Sequence, residues 1–256
     1  MVHKIEIRKN KVHPILAKIL CIGNCTIDYI LEINHQLWSL GVEFIILEGN
    51  LIINNVKILG KGQNSIVVKC KLIDSDDVYA CKIKRYDSPR SDLLREASIL
   101  RFINDFGIGP KIINFSRYIE IMEYIDGTSL SEWINRNPES ESIRRIVKDV
   151  LTQAYTLDKL GITHLELSRA QEHLMITRDY KVKILDFETV SLRTSKTSLN
   201  LVMHALVVGK GRIQQFIRSS LKITDHDIEE LKRVLSIYKR HRDEEVINKI
   251  FKLLRL

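Results

Sequence analysis

A polar loop followed by an apolar segment constrains this chain more than any other stretch. The loop runs from Gly161 to His173 and carries His, Glu, Ser and Gln side chains, and the apolar segment after it ends at Asp186. Polar groups packed this densely between apolar runs are costly to bury unless they are paired or bind something. The loop is therefore a candidate functional site.

Composition places the chain among soluble globular proteins. Its 256 residues, 45% hydrophobic and 28% charged, can form one large domain or two small lobes. No apolar run approaches the ~18 residues of a membrane span, and no signal peptide is evident, so a cytoplasmic protein without a membrane partner is expected. Four cysteines suggest no disulfide framework, and Cys21 and Cys25 are predicted to be core thiols.

The net charge of +8 is concentrated in a basic tail from His204 to the end, which has twelve Lys/Arg against seven Asp/Glu. Such a tail could bind an acidic protein, a nucleic acid or a ribonucleoprotein. A solvated helix surface explains the same charges, and no interleaved aromatic residues indicate a single-strand binder.

Near the N-terminus, the hydrophobic pattern predicts two short helices within 13–40. Strands are predicted to follow over Val42–Leu47 and Leu51–Leu59. Two helices and a hairpin could be a degenerate winged helix. Because no basic recognition helix is present, a structural extension that covers the next domain is the preferred interpretation.

A glycine-rich segment follows, Gly60-Lys61-Gly62, with Ser65 and Val67 downstream. Glycines allow backbone N–H groups to approach phosphates closely. The next segment, 66–72, is strand-like, which argues against the Rossmann and Walker loops because both open a helix.

Lys82 lies in the next predicted strand, on the face opposite Cys81 and Ile83. A helix predicted to be capped by Ser88-Pro89 carries Glu96 at the border of its apolar stripe. A strand lysine is usually solvent-facing and the glutamate could be a surface charge, but the pair could also meet at a buried border.

The second half of the chain is mainly helical. Residues 119–127 are predicted to form a strand that ends in a hinge, and Ser140–Leu160 has the clearest helical periodicity in the chain. Further helices are predicted over 201–208, 212–221 and 225–256, the last in one or two pieces.

Taken together, these motifs resemble the protein kinase-like superfamily over about residues 50–205, and more specifically the small archaeal RIO-type and KEOPS-associated kinases. The resemblance implies an α+β, bilobal protein kinase-like fold with an antiparallel-sheet N-lobe (51–126) and a reduced helical C-lobe with a basic tail (127–256). Residues 1–50 would be an N-terminal helical and hairpin extension.

The resemblance also implies ATP and Mg²⁺ or Mn²⁺ as cofactors. It implies catalytic roles for Lys82, Glu96 and Glu166. It implies nucleotide contacts from Gly60, Gly62, Ser65, Val67, Lys82, Met122, Glu123 and Ile125. Asp186 would hold the metal.

Three departures from the family pattern matter. The family's His-Arg-Asp is His164-Leu165-Glu166 here, so the base position holds a Glu. The second metal ligand is Gln171 when counted forward from Glu166 but His173 when counted back from Asp186, and both remain open. His173 would favour Mn²⁺, since Mg²⁺ prefers oxygen ligands. The third departure is Glu188, which replaces a flexible glycine.

Three functions compete at this point. The first is an atypical Ser/Thr protein kinase, acting on a protein substrate or on its own chain, or acting as an ATPase. The alternatives are a pseudokinase that serves as a nucleotide-binding scaffold, and a small-molecule phosphotransferase. Retention of Lys82, Glu96, Glu166 and Asp186 together favours nucleotide chemistry.

Overall fold

The computed structural model describes residues 3–21 and 25–256 of the chain. The chain divides into two compact units. The first contains Met1–Asn104 and Pro110–Tyr124, and the second contains Asp105–Gly109 and Ile125–Leu256.

The first unit is built on an antiparallel sheet. Its elements are β1 (His3–Glu6), α1 (Pro14–Leu20), α2 (Ile27–Ser39), β2 (Val42–Leu47), β3 (Leu51–Ile53), β4 (Val56–Ile58), β5 (Gly60–Lys61), β6 (Ser65–Leu72), β7 (Val78–Lys84), α3 (Leu94–Asn104), β8 (Ile112–Phe115) and β9 (Ile119–Glu123). The strand order is β1-β2-β6-β7-β9-β8, and β5 pairs with β6. Neighbouring strands are antiparallel, as the alternation of the sequence predicts.

One face of this sheet is apolar and is covered by the N-terminal helices. The shared core contains, among others, Leu16, Ile19, Leu20, Ile33 and Leu37 of the helices and Ile66, Val68, Cys70, Cys81 and Ile83 of the strands. Helices α1 and α2 therefore pack on the sheet. Residues 1–50 also contribute strands β1 and β2 to the sheet itself.

The single strand predicted over 51–59 is wrong. The segment folds back on itself as the β3–β4 hairpin, because Asn54 and Asn55 adopt left-handed conformations with φ of 48° and 64°. Two consecutive positive-φ residues form the type of turn that joins twisted antiparallel strands, and Asn tolerates this conformation. The predicted hairpin with Val42–Leu47 is also wrong, since that strand pairs with β1 and β6.

The predicted helix cap at Ser88-Pro89 is wrong as well. The Ser88 hydroxyl donates to the side-chain oxygen of Asn64 (2.8 Å), and α3 begins only at Leu94. The Leu94 N–H donates to the carboxylate of Asp92 at 3.2 Å, which satisfies one of the free donors at the helix start.

The interpretation of Cys21 and Cys25 as core thiols is also wrong. The two residues form a disulfide with Cα atoms 5.4 Å apart, and both are half-buried. Cys70 and Cys81 are buried free thiols, as expected of core cysteines.

The second unit is mainly helical. Its elements are β10 (Gly127–Ser129), α4 (Leu130–Asn135), α5 (Ser140–Lys159), β11 (Thr163–His164), α6 (Ala170–His173), β12 (Leu174–Thr177), β13 (Val182–Ile184), β14 (Val190–Ser191), α7 (Ser198–Met203), α8 (Arg212–Leu221), α9 (Asp225–Tyr238) and α10 (Glu244–Leu254). Short 3₁₀ segments cover Leu165–Arg169 and Phe187–Thr189, and a π-helical segment covers His204–Val208. β12 lies between β10 and β13, and β11 pairs with β14.

Helix α5 confirms the clearest pattern in the sequence. Its stripe at intervals of three and four residues is buried: Ile143, Ile146, Val147, Val150, Leu151, Ala154 and Leu157. Gly161 ends the helix in the left-handed conformation (φ 72°), so that the chain turns directly into the polar loop.

Part of the basic tail is structural. Arg218 donates to the carbonyls of Val207, Val208 and Gly209, and Arg242 donates to the carbonyl of Asp158. Each of these arginines satisfies backbone acceptors, so their charges are not all available to a partner.

None of the helices in the described part of the chain is both long enough and apolar enough to cross a membrane.

Candidate active site

The glycine-rich segment forms a strand–turn–strand rather than a strand–helix junction. Gly60 and Lys61 pair with Val67 and Ile66, and the Gly62 N–H donates to the Ser65 carbonyl at 2.8 Å. A Cβ added at Gly60 would meet no atom within 4 Å. Steric crowding within the described structure therefore does not require glycine at position 60.

The underside of this turn is anchored by side chains. Arg85 donates from its guanidinium to the Gly62 carbonyl (3.0 Å), and its N–H donates to the Asn64 carbonyl (2.8 Å). The turn is thus fixed in place relative to β7, the strand that carries Lys82.

Lys82 and Glu96 form a buried ion pair. The Lys82 Nζ donates to Glu96 Oε1 at 2.6 Å, and the two side chains are 8% and 6% exposed. Strand β7 supplies the lysine and helix α3 supplies the glutamate from its first turn. An ammonium group carries three N–H donors, and its hydrogen bonds to anionic oxygens are charge-assisted.

The sequence prediction overlooked Glu120. It lies directly opposite Lys82 in the register of β7 and β9, and it is fully buried. Residues directly opposite in an antiparallel pair share a face, so a second carboxylate accompanies Lys82. The sequence did contain a signal for this residue: Glu120 is a single charge between Ile119 and Ile121 in a strand. Because side chains alternate between the two faces of a strand, Glu120 lies on the face opposite these isoleucines, which is the face of Lys82.

Strand β9 ends at the predicted hinge. The Glu123 N–H donates to the Lys111 carbonyl (2.8 Å), and the Lys111 N–H donates to the Glu123 carboxylate (3.0 Å). Met122 precedes this pair and is half-buried, and the second unit begins at Ile125.

In the second unit, the polar loop begins at the buried residue His164. The ring Nε2 lies 3.0 Å from the Leu185 carbonyl, and the ring contacts Phe187 edge-to-face at 4.7 Å. Burial lowers the pKa of His164 to about 4, so the imidazole is neutral at pH 7 and donates its Nε2–H to the carbonyl. His164 thus joins the loop to Leu185, the residue before Asp186.

Glu166 stands on the 3₁₀ segment with both carboxylate oxygens engaged. Thr189 donates to Oε1 at 2.9 Å, and Arg169 forms a short hydrogen bond to Oε2. The Arg169 guanidinium, together with Thr189, lowers the pKa of Glu166. The carboxylate is therefore ionised at neutral pH and is suited to orienting a hydroxyl group more than to removing its proton.

Asp186 follows β13 at a backbone position with φ 63° and ψ 72°. The preceding residue is fixed because the Leu185 N–H donates to the His173 carbonyl at 2.8 Å. A non-glycine residue held in the left-handed region marks a position where the surrounding structure enforces the conformation.

His173 lies beside both acids. Its Nδ1 is 4.0 Å from Asp186 Oδ2, and its Nε2 is 3.6 Å from Glu166 Oε2. Nε2 is buried without a hydrogen-bond partner in the described part of the chain. Gln171, the other candidate from the sequence, lines a different cavity together with Ser168 and His204.

A buried hub that the sequence prediction missed supports the loop. Asp158 accepts hydrogen bonds from the Ser198 N–H (2.6 Å), the Leu199 N–H (3.0 Å) and the Tyr238 hydroxyl (3.1 Å). The Ser198 hydroxyl in turn accepts from the His164 N–H at 3.0 Å. The carboxylate thereby ties α5, α7 and α9 to the polar loop.

This arrangement agrees with the comparison to known families. The family model described as the protein kinase domain matches residues 53–211, which is more than half of the chain. The chain belongs to the protein kinase domain family.

Two relatives of this kinase-family chain are archaeal proteins. An uncharacterized protein of Methanocaldococcus jannaschii is 32% identical over 120 residues, which is 46% of this chain and 99% of that protein. The KEOPS complex subunit Bud32 of Pyrococcus abyssi is 31% identical over 133 residues, which is 48% of this chain and 59% of that protein. A crystal structure of a kinase domain has a TM-score of 0.46 at 23% identity and covers 59% of this chain and 58% of that one.

The kinase-family resemblance implies ATP and a divalent metal, and the residues present fit both. The buried Lys82–Glu96 pair offers a fixed cation to a phosphate. An Asp oxygen and an imidazole nitrogen 4.0 Å apart can bind one ion at bond lengths of ~2.1 Å. Metal-bound histidines commonly direct their second ring nitrogen toward a carboxylate. In His173 this second nitrogen is Nε2, which faces the Glu166 carboxylate.

Proposed function

We propose that this chain is an ATP-dependent phosphotransferase of the atypical Ser/Thr protein kinase type. The observation that carries the proposal is the buried Lys82–Glu96 ion pair at 2.6 Å in a chain of the protein kinase family. Burying a lysine together with a carboxylate costs desolvation energy that their mutual attraction does not always repay. An ammonium group fixed in this way supports a role in binding a phosphate group.

The proposal gives each candidate residue a role. In the first unit, Lys82 binds the α- and β-phosphates, and the turn at Gly60-Lys61-Gly62 covers them with backbone N–H groups. In the second unit, Asp186 and His173 hold the divalent ion, and Glu166 orients the acceptor hydroxyl.

ATP supplies the transferred phosphoryl group, and the bound ion neutralises charge on the phosphates when both are present. Because phosphoryl transfer depends mainly on positioning and charge neutralisation, a carboxylate of low pKa at Glu166 is sufficient. Its hydrogen bonds from Arg169 and Thr189 keep its orientation fixed.

A histidine ligand makes the choice of metal testable. Mg²⁺ prefers oxygen ligands, whereas Mn²⁺ accepts imidazole more readily. We expect turnover with Mn²⁺ to exceed turnover with Mg²⁺, and we expect His173→Asn to shift the preference toward Mg²⁺. Equal or better turnover of the unaltered protein with Mg²⁺ would count against His173 as a ligand.

The proposed acceptor is a Ser or Thr hydroxyl of a protein, including this chain's own. The similarity to the KEOPS complex subunit Bud32 supports a further proposal, that the chain works within an assembly with other proteins. Exposed lysines of the basic tail would be available to an acidic or nucleic-acid partner, whereas Arg218 and Arg242 would not.

The experiment is transfer of label from γ-labelled ATP with Mg²⁺ and with Mn²⁺, measured on the unaltered protein, Lys82→Ala and Asp186→Ala. Lys57→Ala, which removes an exposed lysine from β4, is the matched control. We expect label transfer by the unaltered protein and the control, and a loss of at least about a hundredfold in the other two variants. Absence of both transfer and ATP hydrolysis with either metal would refute the proposal, and ATP binding without turnover would indicate a nucleotide-binding scaffold.

A further inference from the structure

A polar cavity of about 380 Å³ lies within the second unit, beside the segment that carries Glu166. It is lined by residues from the polar loop, from α7 and the π-helical segment, and from α8 and the end of α9: Ser168, Gln171, Lys196, Thr197, Asn200, Leu201, His204, Ala205, Gln214 and Lys239. Ser168 belongs to the same 3₁₀ segment as Glu166, and Gln171 follows in α6.

The cavity is basic. None of its lining residues is an Asp or a Glu, while Lys196 and Lys239 both face it. Both lysines are exposed, and no carboxylate within 4.0 Å pairs with either in the described part of the chain. Two unneutralised ammonium groups over one concave, acid-free surface favour an anion.

The wall of the cavity is rigidly built. The π-helical segment His204–Val208 breaks the normal helical hydrogen-bond pattern, and side chains of α8 replace the missing bonds. Gln214 donates to the Ala205 carbonyl at 2.5 Å, and Arg218 donates to the Val207 carbonyl at 2.6 Å. π-Helical turns of this kind occur often at functional sites, and here the turn forms one side of the cavity.

The floor of the cavity is also fixed. Thr197 is fully buried, and its hydroxyl accepts from the Asn200 N–H at 3.2 Å. Asn200 donates from its side chain to the Leu235 carbonyl at 3.1 Å. A small group that enters the cavity therefore meets a preformed surface, which reduces the entropy lost on binding.

We propose that this cavity binds a phosphate or carboxylate group of the protein acceptor, close to the hydroxyl that receives the phosphoryl group. The inference rests on the proposed function, because it takes Glu166 as the residue that orients the acceptor. The volume of this cavity is near the lower end of the range for small-molecule sites, so it suits a single anionic side chain. That side chain would be a phosphoserine or an aspartate. The enzyme would then prefer acceptors that carry such a residue near the target Ser or Thr.

Binding is tested without any turnover, with inorganic phosphate and O-phosphoserine as probes. Their affinities are measured by titration calorimetry, and amide chemical shifts of Thr197 and Asn200 report the location. We expect the double variant Lys196→Ala/Lys239→Ala to lose at least about tenfold in affinity. The control Lys159→Ala/Lys210→Ala removes the same charge from exposed positions outside the cavity and should bind like the unaltered protein. No binding by the unaltered protein, or equal weakening in both double variants, would overturn the site.

Transfer to two peptides tests the link to the acceptor. The peptides share one target Ser and differ in a flanking residue, phosphoserine in one and Ala in the other. We expect the unaltered protein to prefer the anionic peptide by about tenfold in kcat/KM, and the cavity variant to lose this preference while it transfers to the neutral peptide as before. Phosphate binding without any peptide preference would overturn the acceptor assignment. Transfer to neither peptide would refute the proposed function, with the calorimetry still deciding whether the cavity takes an anion.

Discussion

Burial of His164 predicts a loss of stability at mildly acidic pH. The imidazole is fully buried and its pKa is lowered to about 4, against an ordinary value of 6.5 in the unfolded chain. Between these values the unfolded state binds the proton and the folded state does not, so the free energy of unfolding decreases as pH falls from 6.5 toward 4.

The size of the effect follows from the shift of the pKa. A difference of roughly 2.5 pH units corresponds to about 3 kcal/mol in total, since each unit is worth ~1.4 kcal/mol. Between pH 7 and pH 4.5 most of the shift is traversed, and the loss should be about 2 kcal/mol.

The assay is urea unfolding followed by tryptophan fluorescence. Trp133 is buried in the second unit, so a Trp38→Phe background makes fluorescence a probe of the unit that contains His164. The matched variant is His164→Gln, which keeps a donor for the Leu185 carbonyl but does not titrate.

Other groups titrate equally in both proteins, so the comparison isolates the imidazole. Stability of the His164 protein should fall between pH 7 and pH 4.5 by about 2 kcal/mol more than that of the glutamine variant. Parallel pH profiles for the two proteins would refute the neutral, buried state of His164.

Three further predictions concern stability. Glu96→Gln should destabilise the first unit by about 3 kcal/mol in urea unfolding because it removes the carboxylate charge 2.6 Å from the buried Lys82 Nζ, while Lys82→Met/Glu96→Leu should recover most of the loss; equal instability of the double variant would contradict the ion-pair account. Asp158→Ala should cost about 3–5 kcal/mol in the unfolding of the second unit, because it removes the acceptor of three buried donors, and a loss below about 1 kcal/mol would show that the hub is dispensable. Asn55→Gly should raise the melting temperature slightly, since glycine adopts φ of 64° without strain, whereas Asn55→Val should lower it; the opposite order would contradict the left-handed turn.

Much of the fold could be predicted because the strong patterns are local. The stripe of α5 specifies its buried face, and the apolar residues around Lys82 specify a strand; both elements are confirmed. The errors fall where local signals compete. Ser88-Pro89 has the composition of a helix cap, but the Ser88 hydroxyl is used by Asn64, which is 24 residues away in the sequence.

Only those site residues that belong to a recognisable sequence motif could be predicted. Lys82 and Glu96 could be proposed as a pair because a lysine in a strand and a border glutamate match a known arrangement, and the structure places them 2.6 Å apart. Glu120 and Asp158 were missed because their positions depend on strand register and helix packing, which no local pattern specifies. The sequence alone likewise left both Gln171 and His173 open as metal ligands, and His173 is the one that lies beside Glu166 and Asp186.

The central claim is that Glu166 orients the acceptor in a working phosphotransferase. The most direct test is the single-turnover rate of phosphate transfer at saturating ATP, compared between the unaltered protein and Glu166→Gln, with ATP affinity measured alongside. The account predicts a rate lower by about 10²–10⁴ and an ATP affinity within about twofold of the original. An unchanged rate, or a rate loss matched by an equal loss of ATP binding, would contradict it.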